Sequence, residues 1–386
     1  MPTGLLDLND DVFERIVFYL DSADARRLSR TARSIHAIAD HHALQCVALR
    51  SLVNLTKFCT YMLTKRRHRL LSLRELRIHC LCLVPLARTG YQLHVSDHTG
   101  YEKGARLMAD LIMEAKRLQV LCLSSAEYWL QQEPRLGDAL SSLRHLLEIE
   151  LQNLGPKISR SILEMQSTPR KLVFSSPSFQ DGRGLLPRYP SQGKLVLDPK
   201  RRMPSVQYLS VTDGTNLPDT ITLTRVFPAL RSFEITSGGH VRSSAATDPD
   251  HIVNWPLLER VRGPSYLLSR WKNATAVHLL HLTDHLRFHE PHTSARPMPV
   301  ARNWDLSPVR VLSSFQPVAF IAQLDSRVPT PLWHQLLDYT SSFGSLGGSA
   351  RLRYLSIELN DIDTREAVGV GLDRWWVSVP VQIPME

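Results

Sequence analysis

Five histidines, His278, His281, His285, His289 and His292, fall at spacings of three and four, with Asp284 and Glu290 among them. On a helix they would share one face, and imidazole with carboxylate is a ligand set for a transition metal. The element beneath them argues otherwise. Val277 and Leu279 alternate as in a strand, and Pro291 ends any helix. These histidines therefore read as solvated side chains, and no metal is expected. Cys80 and Cys82 would point to one side of an extended segment. With no second cysteine pair, they read as buried core thiols. The chain contains no phosphate-binding loop, no nucleophile elbow and no zinc-protease helix motif. "GVG" at 369–371 is too short to hold a phosphate. Nothing gathers into an acid–base set, so the expectation is a protein that is not an enzyme and takes no cofactor.

Bulk properties bound what remains. The 386 residues exceed the roughly 250–300 at which a single core stops growing, so two units or an elongated array are expected. Composition is that of an ordinary globular chain, 43% hydrophobic and 22% charged. The longest apolar runs, such as "AVHLLHL", are too short for a bilayer, and no membrane association is expected. The opening residues lack the basic and apolar regions of a signal peptide, and the five cysteines show no framework spacing. Together these predict a reduced compartment, cytoplasmic or nuclear.

Charge is unevenly spread. The first twenty-four residues hold six acids and one Arg, although the whole chain carries +9. Residues 25 to 90 hold thirteen Lys or Arg against Asp40 and Glu75. One cluster, "TKRRHR" at 64–69, closes a predicted helix, where cations suit the dipole. The basic region can attract an acidic protein or a nucleic acid. It lacks interleaved aromatics, so single-stranded nucleic acid is not favoured.

The acidic opening is helix-shaped. Asn9, Asp10 and Asp11 can accept the orphan N–H groups of a helix start. Leu8 and Phe13 have the spacing of a hydrophobic staple. Val12, Phe13, Ile16, Val17 and Leu20 follow at helical spacing as one apolar stripe. Asp21, Ser22 and Asp24 break that helix and cap a second, with Ala25 and Leu28 on one side. A third carries Ala32, Ile35, Ile38 and Ala39. Three such short helices are marginal alone and need a neighbour.

From Leu44 onward an L-x-x-L-x-L pattern recurs. It runs Leu44-Val47-Leu49, Leu73-Leu76-Ile78, Leu118-Leu121-Leu123 and Leu146-Ile149-Leu151. It returns as Val206-Leu209-Val211, Leu230-Phe233-Ile235 and Leu352-Leu355-Ile357. Weaker copies are Leu258-Val261, Ala274-Val277-Leu279 and Leu306-Val309-Val311. The last two apolar positions alternate as in a strand. Neighbouring copies start 29, 28 and 24 residues apart (Leu44 to Leu73, Leu118 to Leu146, Val206 to Leu230). That period fits leucine-rich repeats, each a strand plus a helix. "LVNLTKFCTYML", "GARLMADLIMEAKRL" and "LGDALSSLRHL" supply apolar residues at helical spacing between strands. The predicted fold class is α/β: three N-terminal helices, then a curved solenoid of parallel strands with helices on the outer face. Stretches around 175–200, 237–251 and 289–303 read as loops. "RWW" at 374–376 is expected to cap the last repeat.

The stretch "LNDDVFERIVFYLDSADARRLSRTARSIHAIA" resembles an F-box. Leu8, Asp11, Val12, Ile16, Tyr19, Leu20, Asp21, Asp24, Leu28 and Arg33 match that motif position by position. Asn9 stands in place of the usual Pro, Ala25 of a Leu, and Ile35 of a Trp or Phe. With repeats behind it, the chain is similar to fungal F-box proteins with divergent leucine-rich repeats. The resemblance implies an F-box over 1–43 and a repeat domain over 44–386. It implies a substrate-recognition subunit of an SCF-type ubiquitin ligase, bound to a Skp-type adaptor and through it to a cullin. Leu8, Val12, Ile16, Leu20 and Leu28 would touch the adaptor. Arg77, Glu234, Arg262 and Glu358, which lie between buried strand positions, would face a target protein. The other reading is a repeat-based interaction scaffold with no ligase role.

Overall fold

Elements form where the apolar period dictates them. The computed structural model describes residues 8–31, 33–80, 98–152, 154–175, 197–212, 220–236, 252–253, 255–268, 272–273, 276–286, 311, 315–325, 354–360 and 375–380. The three loop stretches, Cys82, His289, His292 and the "GVG" segment lie wholly or largely outside these residues. Two compact units divide the chain. Unit 1 spans Met1–Val206 with Asn216–Pro218, and unit 2 spans Gln207–Thr215 with Asp219–Glu386.

Unit 1 opens with α1 (Asp10–Phe18), α2 (Ser22–Leu28) and α3 (Arg33–Gln45). Asn9 caps α1 by accepting the Asp11 N–H (3.3 Å), and Asp21 caps α2 by accepting that of Asp24 (2.7 Å). Phe13, Val17 and Ile35 form their buried core, with Leu28 and Ile38 packed against it. The helix α3, which ends at Gln45, then runs straight into β1 (Cys46–Leu49), whose Val47 and Leu49 are buried. An ion pair from Arg69 to Asp40 and a hydrogen bond between Ser72 and His41 (3.2 Å) tie the three helices to the repeats behind them.

Next come α4 (Leu52–Lys65), a 3-10 turn (Arg67–Ser72), β2 (Glu75–Ile78), α5 (His98–Glu114) and β3 (Val120–Leu123). They are followed by α6 (Ala126–Gln132), α7 (Arg135–Ser142), β4 (Glu148–Gln152), α8 (Pro156–Leu163) and β5 (Lys171–Ser175). Strands β1 to β5 pair in sequence order, and every pair is parallel. Parallel neighbours need a crossover, and here each crossover is helical. The inward strand positions, such as Leu76, Ile78, Leu121, Leu123, Ile149 and Leu151, are buried with Leu55, Met62, Met108, Ile112, Trp129 and Ile158 of the helices. Neither layer could bury this surface alone.

One contact locks two crossovers together. The buried Glu127 of α6 reaches the start of α8, where its carboxylate accepts the N–H groups of Lys157 (3.3 Å) and Ile158 (3.0 Å). A helix start favours such a charge. Gly155 makes the approach possible, because a Cβ there would overlap the Glu127 carboxylate.

Unit 2 contains β6 (Tyr208–Thr212), α9 (Thr220–Val226), β7 (Ser232–Thr236), β8 (Ile252–Val253), β9 (Arg260–Gly263), α10 (Ser265–Leu268) and β10 (Lys272–Asn273). It continues with β11 (Leu279–Leu286), β12 (Ala319–Asp325), β13 (Tyr354–Asn360) and β14 (Trp375–Pro380). The order β6-β7-β9-β11-β12-β13 is parallel throughout. The last strand departs from the expected pattern. It carries Trp375 and Trp376 and lies antiparallel on β13. Strands β8 and β10 form a separate parallel pair. Trp255 is wholly buried against Phe233 and donates its indole N–H to the Phe227 carbonyl (2.9 Å).

Two of the three weaker repeat copies need correction, while Leu258 and Val261 are buried just before and within β9 as expected. In β11 the buried positions are Leu280 and Leu282, preceded by buried Val277, so the repeat is Val277-Leu280-Leu282 and not Ala274-Val277-Leu279. Val311 is buried in a helical segment, and the strand lies further on at β12. No helix among the described residues is long and apolar enough to cross a membrane.

Candidate functional site

The helix α1 divides its apolar residues between two surfaces. Phe13 and Val17 point into the three-helix core. Val12 is 47% exposed, Ile16 36% and Tyr19 76%. At 100° per residue, positions 12, 16 and 19 fall on one face. Phe18, 71% exposed, flanks that face and meets the Tyr19 ring edge-on at 5.8 Å. Leu8 and Leu20 are half-buried beside it. The Leu20 carbonyl is held by the His42 imidazole at 3.1 Å. Of the five residues expected to touch an adaptor, Val12 and Ile16 stand open. Leu28 lies on the inner side, against the Phe13–Val17–Ile35 core.

In each unit the strands also carry polar side chains between their inward apolar positions. In unit 1, Arg77 lies across β2 with Cys122 beside it in register and Glu150 one strand further. Its guanidinium pairs with Glu75 on its own strand. In unit 2, Glu234 of β7 and Arg262 of β9 are register partners. Arg262 donates to the Glu234 carboxylate at 3.0 Å, and the Tyr208 hydroxyl of β6 donates to its other oxygen at 2.5 Å. Tyr208, Glu234 and Arg262 thus run across three adjacent strands. Burial, and then the carboxylate beside it, push the Tyr208 hydroxyl up to about 12. Glu358 lies on β13, opposite Gln323 of β12 and Trp376 of β14. The structure therefore brings Glu234 and Arg262 together and leaves Arg77 in a separate group in unit 1. Sequence reasoning missed Tyr208. Its signal was the alternation that sends Leu209 and Val211 inward and so places Tyr208 on the other face.

The thiols on and behind this sheet are not poised for attack. Burial, with Glu150 adding to it, pushes Cys122 up to about 12, although His79 Nδ1 lies 4.0 Å from its sulfur. A thiol so far above neutrality stays protonated at pH 7, and the thiolate is the nucleophile. His278, His281 and His285 lie on or beside β11, so their spacing collects no helical face. Among the described residues no group of three or more His, Cys, Asp or Glu has a metal-holding arrangement.

In comparisons with known proteins, no family model and no curated protein matches the chain. Among the described residues the geometry leaves an exposed apolar face on α1, the Arg77–Glu75 group on the sheet of unit 1, and the Tyr208–Glu234–Arg262 row on the sheet of unit 2.

Proposed function

We propose that the chain is the substrate-recognition subunit of an SCF-type cullin–RING ubiquitin ligase. In this reading α1 to α3 are an F-box that docks on a Skp-type adaptor. The strand–helix units are divergent leucine-rich repeats that hold a target protein through their strands, by Arg77 in unit 1 and by Glu234, Arg262 and Glu358 in unit 2. The protein contributes proximity rather than chemistry, raising the effective concentration of target lysines. A cytoplasmic or nuclear location goes with this role.

The observation that carries the reading is the split of α1. Phe13 and Val17 close the core, which leaves Val12, Ile16 and Tyr19 as an apolar face uncovered among the described residues. The departures from the motif are compatible with it. Ala25 and Ile35 are buried packing residues, and Asn9 caps α1.

Co-purification of the full chain with a Skp-type adaptor tests the proposal. Val12→Asp/Ile16→Asp should abolish adaptor recovery and leave helicity unchanged, since both side chains are exposed in the free chain. The same loss is expected for Ile16→Asp/Leu20→Asp. Recovery of adaptor by these variants at the wild-type level would sink the docking assignment. A wild-type chain that captures a target but no adaptor would point to the scaffold reading.

A further inference from the structure

Cations with no carboxylate partner among the described residues collect at the strand-start edge of unit 1, and of these Arg144 donates to the Gln166 side-chain oxygen (3.0 Å). In a parallel sheet every strand begins on the same edge, so the turns leading from helix to strand stack there. Backbone hydrogen bonds hold them in register. Arg74 N donates to Gln45 O (2.9 Å), Gln119 N to Arg74 O (2.7 Å), Leu147 N to Gln119 O (2.8 Å) and Arg170 N to Leu147 O (2.8 Å). These residues form a row across the strands β1 to β5, about 19 Å long at roughly 4.8 Å per step. Ser205 extends it, because its hydroxyl donates to the Pro169 carbonyl (3.0 Å) and anchors the segment bearing Arg201 and Arg202.

Lys116, Arg117, Arg144, Arg170, Arg201 and Arg202 all stand exposed on this edge. Other basic residues nearby have structural partners: Arg67 pairs with Glu114, Arg69 with Asp40, and Lys171 with Glu148. None of those six pairs with a carboxylate among the described residues. The acids in these turns are committed elsewhere. Asp198 accepts the Lys200 N–H (2.9 Å), and Glu164 pairs with Arg160 (2.9 Å). The edge also exposes apolar side chains. Leu147, 42% exposed, sits in the row itself, and Leu71, 49% exposed, lies in the 3-10 turn that leads to β2.

We propose that this edge docks an extended acidic polypeptide segment in which apolar residues are interspersed among the acids. The cations supply charge complementarity and steering. The exposed leucines decide the class of partner. A phosphodiester backbone would set Leu71 and Leu147 against charge, whereas an acid–apolar peptide covers them. A strand of about six residues matches the length of the row. The surface is separate from the apolar face of α1 and from the Arg77–Glu75 group.

Fluorescence anisotropy on the full chain tests it with two probes, a labelled dodecapeptide alternating Glu and Leu and a labelled oligothymidylate of equal length. The peptide should bind at low salt and weaken as salt rises. Arg117→Glu/Arg144→Glu/Arg170→Glu should lose at least about tenfold in affinity, and Leu147→Ser several-fold. Arg225→Glu, an exposed cation of unit 2, should change nothing. Circular dichroism checks folding; if the Glu variant fails to fold, the same three positions changed to Gln should show the loss. The proposal is overturned if the wild-type chain ignores the peptide, or if the triple variant binds it equally well. It is also overturned if the oligonucleotide binds more tightly and Leu147→Ser leaves peptide binding unchanged.

Discussion

Burial holds the thiols protonated wherever they are described. It pushes Cys46 and Cys80 up to about 11 and Cys59 and Cys122 to about 12. Glu75 adds to the effect at Cys46, and Glu150 at Cys122. Reaction with a thiol reagent follows the thiolate fraction. That fraction falls about tenfold for each pH unit by which a thiol is raised above the ordinary value, near 8.5. In a Cys82→Ser chain, alkylation at pH 8 should therefore run roughly a hundredfold or more slower than for free cysteine. Urea should restore the ordinary rate at all four positions. Fast labelling of the folded chain would show that water reaches these thiols more freely than their burial allows.

At the scale of elements, the Glu127–Gly155 contact is where one repeat depends on the next. Glu127→Ala removes two hydrogen bonds from a buried carboxylate to the start of α8 and should cost about 2–3 kcal/mol in urea unfolding. Gly155→Ala should cost a comparable amount, and here the limit is space, since its φ of −152° is one that any residue adopts. The double variant should lose less than the sum, because truncating Glu127 clears the room that the added Cβ needs. Strictly additive losses would mean that the two residues are not coupled. Nearly all of the strong repeat copies were legible because Leu, Ile, Val or Phe fills all three inward positions. Two parallel strands of the main sheet that the pattern missed, β5 and β12, share one cause. In β5 the inward triplet is Pro169-Leu172-Phe174, and in β12 it is Pro317-Phe320-Ala322, so Pro replaces the leading leucine. Pro169 and Pro317 are both buried and fill that place sterically. In β9 the third position is Gly263, where a Cβ would press Ile235 at 3.3 Å, which explains the weak copy Leu258-Val261. The helical stripe of α1 was legible too. Its division into a buried and an open face was not, because that depends on where Ile35 of α3 packs.

For the whole molecule, the groups that set pH sensitivity differ between the two units. In unit 1, Glu133 accepts from the Arg135 side chain and backbone (3.1 Å each), and this pairing holds its carboxyl below the ordinary value. A carboxyl lowered in the folded state contributes stability that is present above its unfolded value, near 4.3, and is lost as pH falls through the folded one. In unit 2, Tyr208 is raised to about 12. Its contribution is complete below the unfolded value, near 10, and is lost as pH rises toward 12. Acid should therefore weaken unit 1 through Glu133, and alkali should weaken unit 2 through Tyr208 and unit 1 through its raised thiols. Thermal melting across pH separates the two effects. Glu133→Gln should lower the melting temperature at pH 7 and flatten its decline below about pH 4.5, with the alkaline limb untouched. Tyr208→Phe should flatten the decline between about pH 10 and 12 and leave the acid limb as it was. If either substitution changed both limbs alike, the groups would be acting through a general loss of packing rather than through their own titration. The same experiment bears on the Tyr208–Glu234–Arg262 row. Tyr208→Phe removes the hydroxyl but leaves the Arg262–Glu234 pair in place, so recognition of a target through that pair should survive a change that alters alkaline stability.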